Sequence, residues 1–327
     1  MKRILSILGV TLVSASASYG QAIIQVNNIA MGINPEGHLN ARDVYGVTSN
    51  ASTTGVTLIG LGDATSPGCD CEGWGVSASG VSGFANVSTD GVNNLTVDSF
   101  VSDDDGVTGP GTFATSNVHV SSLPGLKVSQ SYAASASSAL IENKVVITNN
   151  TGGDLNDVRY VRVMDWDVPP TEFSEYVTII GTATTADLER SHDNGFNTAN
   201  PLGGDGSLDP ATEDVDFVDN GPADHGAYFR FNFGTLADGE TQEFSIFYGA
   251  TTNEADAETA LGVVGAELYS LGQQDGDPLG GTPGTFIFGF KGVGGVVVHP
   301  TPDGGASAML LGLSLVGLGV GKRLRRK

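Results

Sequence analysis

The chain has 327 residues, with 37 acidic and 15 basic side chains and a formal net charge of −22. This charge excludes nucleic acid and anionic lipid surfaces as natural partners of the protein, because like charges repel one another. Glycine is abundant at 47 residues and aromatic residues are scarce, yet a hydrophobic fraction of 39% with alternating apolar runs predicts a folded, turn-rich β protein rather than a disordered chain.

Residues 1–22 have the three parts of a secretory signal peptide. Lys2 and Arg3 form the basic region, a short apolar run follows, and small residues then offer cleavage after Ala17 or after Ala22. We favour Ala22, because strand-like sequence begins directly after it. The protein is therefore expected to be exported.

The body, residues 23–298, is predicted to be all-β: an antiparallel β-sandwich-like fold with one α-helix in its C-terminal half. Residues 23–138 and 139–298 form two possible halves of it. In the first stretch, short apolar runs alternate with Gly-, Ser- and Asn-rich turns, at lengths typical of sandwich strands. The clearest predicted strands there are IIQVNNIAM, VTLIGLGD, NLTVDSFV, NVHVSSL and LKVSQSYA.

The second stretch has stronger periodicity and predicts two hairpins across Gly-containing turns. They are LIENKVVITN with VRYVRVMDWDV, and AYFRFNF with EFSIFY. In each strand of the second hairpin, alternation with a period of two places the apolar side chains on one face. In the first strand these are Phe229, Phe231 and Phe233, and in the second they are Phe244, Ile246 and Tyr248.

One helix is predicted over residues 254–271. Asn253 serves as its N-cap, apolar residues fall on one stripe, and Gly272 ends it. The last predicted strand is TFIFGFKG.

The two cysteines, Cys69 and Cys71, lie one residue apart in SPGCDCEGWG. An even number of cysteines in an oxidising compartment favours a disulfide, although a bond between residues this close is geometrically tight. We predict a local structural disulfide that fixes the shape of a loop beside Trp74. A reduced structural pair and a metal-binding or redox Cys-x-Cys are the alternatives.

A carboxylate group is predicted at the end of one strand, in VMDWDVPPTEF. Asp165 and Asp167 point to the same side of an extended strand, with their Cα atoms roughly 6.5–7 Å apart. A turn at Pro169 and Pro170 can return Glu172 to the same place. Three such oxygens suit Ca²⁺, the one cofactor that the sequence suggests. A solvated strand end and a general acid–base pair are the alternatives.

No catalytic signature accompanies these residues. The remaining acidic Gly-rich loops do not match the EF-hand spacing. His192 and His225 each adjoin an aspartate, but no serine lies in a nucleophile-elbow context. P-loop, HExxH and dinucleotide fingerprints are also missing from the sequence. The sequence therefore predicts a protein without enzymatic activity.

The C-terminal stretch, residues 299–327, differs from the body. Residues 306–321 are uncharged and largely apolar, and five of the last six residues are basic. As a helix the apolar run is about 24 Å long, somewhat shorter than the roughly 30 Å hydrocarbon core. The basic cluster would hold the C-terminus on the cytoplasmic side. A thin transmembrane anchor and a sorting signal both fit this layout.

The stretch PTPDGGASAMLLGLSLVGLGVGKRLRRK resembles the PEP-CTERM class of C-terminal sorting signals, in its variant headed by Val-Pro-Asp-Ser-Gly. Pro302, Asp303 and Gly305 match this variant, whereas Thr301 replaces the usual Val and Gly304 the usual Ser. The resemblance implies that an exosortase-like transpeptidase removes the tail. It also implies delivery to the surface or the exopolysaccharide matrix of a diderm bacterium.

The body resembles modules of uncharacterised bacterial surface proteins, in segments such as MDWDVPPTEFSEYVTI and NGPADHGAYFRFNFG. The expected function is therefore that of a structural or adhesive protein of the cell surface or extracellular matrix, held at the membrane at least transiently. One alternative is a carbohydrate-binding module that presents Trp74 and Trp166 to extracellular polysaccharide. A less favoured one is a secreted hydrolase that uses Asp165, Asp167 or Glu172.

Overall fold

A computed structural model describes residues 20–206, 208–276 and 284–298. Within these ranges the chain forms antiparallel sheets and one α-helix, as predicted. No helix in the described ranges is long and apolar enough to cross a membrane. Residues 1–19 of the predicted signal peptide and the whole predicted tail, with its helix at 306–321 and its sorting residues Pro302, Asp303, Gly304 and Gly305, lie outside the described residues.

Short apolar segments separated by turns form many short strands. The strands of the first stretch are β1 (Ala22–Val26), β2 (Ile29–Ile33), β3 (Ala41–Arg42), β4 (Thr53–Thr54), β5 (Val56–Leu58), β6 (Gly62–Asp63), β7 (Gly73–Ala78), β8 (Val81–Asn86), β9 (Leu95–Ser102), β10 (Ala114–Val120) and β11 (Leu123–Ala134). The second stretch contains β12 (Leu140–Asn149), β13 (Arg159–Trp166), β14 (Glu175–Ile180), a 3-10 turn (Thr182–Thr184), β15 (Leu188–His192), β16 (Phe217–Ala223), β17 (His225–Asn232), β18 (Thr241–Thr251), α1 (Glu254–Val264), β19 (Leu268–Gln274) and β20 (Thr285–Lys291).

Two large sheets contain most of these strands. The larger has the order β16-β14-β19-β20-β18-β12-β11-β10-β9, and the smaller has the order β15-β17-β13-β7-β8. A four-stranded sheet (β1-β2-β5-β6) and a β3-β4 pair complete the set. Both large sheets take strands from residues 23–138 and from residues 139–298.

Aromatic side chains join the inner faces of the two large sheets. Phe229 on β17 lies 5.5 Å and 5.1 Å, centroid to centroid, from Phe288 and Phe290 on β20. Tyr160 on β13 lies 4.9 Å from Phe244 on β18. All five side chains belong to one buried cluster, so burial of apolar surface holds the sheets face to face, an arrangement compatible with a β-sandwich.

The alternation read from the sequence assigns side chains to the correct faces. Phe229 and Phe231 enter the core between the sheets, and so do Phe244, Ile246 and Tyr248 of β18. Tyr228 lies on the opposite face of β17, in a smaller cluster with Val161 and Val163. The period of two in these strands therefore predicted which side chains share a face, although Tyr228 on the opposite face is buried as well.

Both predicted hairpins are wrong. β12 pairs with β11 and β18, whereas β13 pairs with β7 and β17. Likewise β17 pairs with β13 and β15, and β18 with β12 and β20. The chain crosses from one sheet to the other at each of these turns. An alternating pattern indicates a face but not a partner, so the two cases look alike in sequence.

The predicted helix begins where expected but is shorter. The Asn253 side chain accepts a hydrogen bond from the amide of Asp256 at 2.9 Å, which confirms the N-cap. Gly265, with φ at +70°, ends the helix after Val264. Residues 268–271, predicted to be the last part of the helix, instead belong to β19, which lies between β14 and β20. The helix packs on the outer face of the larger sheet through Ala257, Ala260, Leu261 and Val264.

A buried ion pair lies within the core. Arg162 of β13 and Glu72, just before β7, are both fully buried and their side chains contact each other directly. The other carboxylate oxygen of Glu72 accepts the amide of Leu39 at 2.7 Å. Arg162 also donates to Gln130 at 2.8 Å and lies over the ring of Tyr248. Charge attraction and hydrogen bonds therefore offset the desolvation of this pair.

Candidate functional site

The end of β13 places two aspartates inside the protein. Asp165 is opposite Gly226 in the β13-β17 ladder. Asp167 follows the strand, and its amide donates to the carbonyl of Ala64 at 2.8 Å. Their side chains are 2% and 0% exposed. The predicted solvated strand end is therefore not what the structure has at this position.

A third aspartate joins them from the junction of β16 and β17. Carboxylate oxygens of Asp165, Asp167 and Asp224 all lie within 4.8 Å of one another. Asp224 is exposed, whereas the other two are buried. Glu175, at the start of β14, is fully buried and interacts electrostatically with Asp165 and Asp167. We call Asp165, Asp167, Asp224 and Glu175 the carboxylate cluster.

Three buried oxygens of this cluster have no partner. Oδ1 of Asp165 and both carboxylate oxygens of Asp167 accept no hydrogen bond from any residue that the structure describes. In the described ranges no Lys or Arg forms an ion pair with any member of the cluster. Because a buried carboxylate without partners is costly in free energy, such a group either binds a proton or binds a cation.

The protonation behaviour of the cluster reflects this isolation. Burial, together with the charge of Asp224, raises the pKa of Asp165 to about 7. Burial and the charges of Asp165, Glu175 and Asp224 raise the pKa of Asp167 to about 9. Burial also raises the pKa of Glu175 to about 8, although the amides of His225 and Ser174 act in the opposite direction. The cluster thus holds protons near neutral pH.

Two glycines allow the backbone to approach Asp165 closely. A Cβ atom on Gly226 would lie 2.0 Å from the carbonyl oxygen of Met164. One on Gly195 would lie 2.6 Å from the Cα of Asp165 and 2.9 Å from its Oδ1. Only glycine fits at these two positions, so the segments SHDNGF and ADHG serve to enclose this carboxylate.

Glu172, the third calcium ligand predicted from the sequence, makes a different contact. Its Oε1 accepts a hydrogen bond from the side chain of Asn50 at 2.9 Å. Asp224 and Glu175 are the carboxylates that the fold brings to Asp165 and Asp167. Asp224 lies in ADHG, at the end of an acidic Gly-containing loop that the sequence did not connect with Asp165 and Asp167. Its proximity depends on the pairing of β17 with β13, which the sequence did not predict.

The histidines near the cluster have structural partners. His225 contacts Asp193 through Nδ1 at 3.2 Å and the carbonyl of Glu175 through Nε2 at 3.1 Å. Hydrogen bonds from His225 and Thr212 outweigh burial and lower the pKa of Asp193. His192 stacks on Tyr228, 4.4 Å between ring centroids. These contacts give both histidines structural partners within the fold.

The cysteine loop borders the cluster. Cys69 and Cys71 are joined by a disulfide, and Sγ of Cys69 lies 3.5 Å from Oδ2 of Asp165. Cys71 is buried and Cys69 is partly exposed. The loop thus lies directly against Asp165 and also leads into Glu72, the carboxylate of the buried ion pair.

Neither tryptophan can serve as a sugar platform, because both are fully buried. Trp74 stacks against Tyr160 and donates its Nε1–H to the carbonyl of Glu36. Trp166 donates to the hydroxyl of Ser270 at 3.0 Å. A groove of about 670 Å³ beside α1 is lined by small polar and aliphatic residues, none of them aromatic. The carbohydrate-binding alternative therefore loses the aromatic residues on which it was based.

Comparison with known proteins adds little. No protein-family model matches the sequence, and no curated protein matches it. Among solved structures, a galactose mutarotase-related enzyme from Lactobacillus acidophilus is similar at 10% identity, over 87% of this chain and 88% of that chain, with a TM-score of 0.28. A similarity at this TM-score carries no argument about fold or activity.

The geometry of the carboxylate cluster favours a small ligand. Asp167 is fully buried, so a polymer or a sugar ring cannot contact it, whereas Asp224 of the same cluster is exposed. Hard carboxylate oxygens with free lone pairs are the ligands that Ca²⁺ prefers. A bound cation would supply the partner that the three free oxygens lack.

Proposed function

We propose that the protein is exported and acts without enzymatic activity as a structural or adhesive component of the cell surface or of an exopolysaccharide-associated extracellular matrix. A Ca²⁺ ion held by the carboxylate cluster stabilises its fold. One observation carries this proposal: Asp167 is completely buried and neither of its carboxylate oxygens has a partner. Calcium is the fitting cation, because it is abundant outside cells and binds carboxylate oxygens.

The calcium site is tested by thermal unfolding of the purified body with Ca²⁺ or with EDTA. An ion that binds only the folded state at 100 times its dissociation constant adds about 2.7 kcal/mol. Because 1 kcal/mol shifts the melting temperature of a domain of this size class by roughly 2–4 °C, the ion should raise it by roughly 5–11 °C. We expect Asp167→Asn to abolish the difference between Ca²⁺ and EDTA.

Two controls sharpen this test. Glu172→Gln is expected to retain the full calcium effect, because Glu172 contacts Asn50 and not the cluster. Asp154→Asn changes an exposed aspartate and should also retain it. If the wild-type protein melts at the same temperature in Ca²⁺ and in EDTA, the calcium site is refuted.

Sorting through the tail is the second component of the proposal, and the resemblance to the PEP-CTERM class supports it. Intact-mass measurement of the protein from the native cell surface is expected to show a chain that ends near Pro302 to Gly305, without the basic cluster. A native protein that keeps residues 322–327 would show an ordinary membrane anchor instead. Such a result would leave the calcium site unaffected.

A secreted hydrolase is the second candidate, and the raised pKa values of Asp165 and Asp167 favour it, since general acids need such values. The burial of Asp167 and the separate position of Glu172 oppose it. The proposed function therefore assigns these carboxylates to an ion rather than to a substrate.

A further inference from the structure

The disulfide and the carboxylate cluster have one residue in common. Sγ of Cys69, Sγ of Cys71 and a carboxylate oxygen of Asp165 lie within 4.8 Å of one another, and so do the carboxylates of Asp165, Asp167 and Asp224. Asp165 therefore belongs to both of two adjacent groups of potential metal ligands. Its Oδ2 lies 3.5 Å from Sγ of Cys69, and its Oδ1 is buried and has no hydrogen-bond partner among the described residues.

The two groups differ in chemical preference. The all-carboxylate group suits a hard cation such as Ca²⁺. Two thiolates with one carboxylate suit a softer ion, and Zn²⁺ binds this combination of sulfur and oxygen ligands. The intact disulfide prevents Zn²⁺ from binding to the sulfur atoms, since neither sulfur carries a negative charge while the two are bonded to each other.

We propose that reduction of the Cys69–Cys71 disulfide creates a Zn²⁺ site formed by both thiolates and Asp165, in competition with the Ca²⁺ site. A dithiol reductant gives up two electrons and two protons: the S–S bond breaks, two thiols form, and the reductant becomes a cyclic disulfide. Zn²⁺ then displaces both thiol protons into solution.

The position of the loop permits this chemistry. Cys69 and the preceding Gly68 are at least partly exposed, so a small reductant reaches the sulfur of Cys69. Cys71 is buried beside the hydroxyl groups of Ser88 and Thr89 and does not move away from the cluster to meet an ion. No described Lys or Arg pairs with Asp165 and competes with a metal for it.

The inference rests on the proposed function through the shared residue Asp165, and its test keeps the two separable. The full body is reduced with a dithiol, desalted without oxygen and titrated with Zn²⁺ alone, beside the oxidised protein. We expect the reduced protein to bind one Zn²⁺ at least about tenfold more tightly than the oxidised protein, since loss of even a supporting group at a metal site costs 10–100-fold in affinity. Zn²⁺ binding to the reduced protein should release protons, because both thiols must deprotonate to bind the ion.

Three variants and the control Asp154→Asn separate the two sites. Asp167→Asn should lose the Ca²⁺ effect of the oxidised protein and keep Zn²⁺ binding in the reduced protein. Cys71→Ser should lose Zn²⁺ binding and keep the Ca²⁺ effect. Asp165→Asn should lose both, and Asp154→Asn neither. Should a cysteine variant fail to fold, alkylation of the reduced wild-type protein with iodoacetamide replaces it.

Equal Zn²⁺ affinity of the reduced and oxidised proteins would overturn the inference, as would unchanged affinity in the reduced Asp165→Asn variant. Zn²⁺ binding without any loss of the Ca²⁺ effect would refute the competition. If instead the oxidised wild-type protein shows no Ca²⁺ effect while the reduced protein binds Zn²⁺, the proposed calcium function fails and the Zn²⁺ site stands.

Discussion

Glu72→Gln is expected to destabilise the protein by about 3–5 kcal/mol, the usual cost of removing one partner from a buried ion pair. The substitution preserves the size of the side chain and leaves the charge of Arg162 without a counter-ion. Both side chains are fully buried, so water cannot replace the lost carboxylate. Chemical denaturation followed by fluorescence or circular dichroism measures the loss.

The surroundings of Arg162 explain why the effect should be large. Gln130, Tyr132 and Tyr160 accept hydrogen bonds from the guanidinium group, but none of them is charged. Attraction by Glu72 is the main contribution that opposes burial and keeps the pKa of Arg162 well above its ordinary value. Arg162 stays charged even when Glu72 is removed, because a guanidinium group is not deprotonated in proteins, and the unpaired charge then destabilises the folded state.

An exposed ion pair in the same protein provides the matched control. Lys144 and Glu243 lie 2.8 Å apart with side chains 55% and 51% exposed. Glu243→Gln should cost less than about 1 kcal/mol, because water screens such pairs. The double variant Glu72→Leu, Arg162→Met should be more stable than Glu72→Gln, since it leaves no buried charge. Equal losses for Glu72→Gln and Glu243→Gln would contradict this account of the core.

Calcium is expected to stabilise the protein more at pH 9 than at pH 7. In the absence of calcium, the raised pKa values of Asp165, Glu175 and Asp167, about 7, 8 and 9, exceed their ordinary values of 3.8 to 4.5. The folded protein therefore binds protons more tightly than the unfolded chain does. The resulting stability is complete below the ordinary pKa values and is lost as the pH rises through the raised ones.

The pH range of this experiment begins at 7 for a specific reason. Burial lowers the pKa of His38 to about 3 and that of His192 to about 4. These histidines contribute stability that grows as the pH rises to about 6.5 and is constant above it. Between pH 7 and pH 9 their contribution no longer changes, and the carboxylates dominate.

The expected result has two parts. In EDTA the melting temperature should fall between pH 7 and pH 9. In saturating Ca²⁺ the fall should be smaller or absent, because the ion replaces the lost protons and its affinity increases as the ligands deprotonate. Asp167→Asn should remove most of this difference, whereas Asp154→Asn should preserve it. A calcium effect of equal size at both pH values would show that the ion binds elsewhere.

Two members of the carboxylate cluster were predicted from the sequence. The spacing of Asp165 and Asp167 correctly indicated two carboxylates on one side of a strand end, since a period of two follows from strand geometry alone. The third aspartate of the cluster was not predicted. Glu172 was chosen because it is close in sequence, but Asp224 arrives through the pairing of β17 with β13, about sixty residues further along the chain. Long-range pairing leaves no mark in the local pattern.

Arg162 was missed for a related reason. In VRYVRVMDWDV it alternates with valines, and it looks like the polar face of a half-buried strand. In the structure its face is the inner one, shared with Tyr160, Met164 and Trp166. The core tolerates the arginine only because the loop after Cys71 brings Glu72 to it. A period of two distinguishes the two faces of a strand. When both faces carry apolar side chains, it does not show which face packs against the other sheet.

By itself the sequence determined the class of fold, the positions of most strands, the helix start at Asn253 and the side-chain faces of β17 and β18. Each of these depends on local geometry: a period of two, a capping side chain, turn-forming residues. The tertiary structure alone decided which strands pair, that residues 268–271 form part of a strand and not of the helix, that both tryptophans are buried, and that Asp224 and Glu175 complete the carboxylate cluster. These outcomes depend on which distant surfaces bury the most apolar area together, and that free energy belongs to the whole fold rather than to any segment of it.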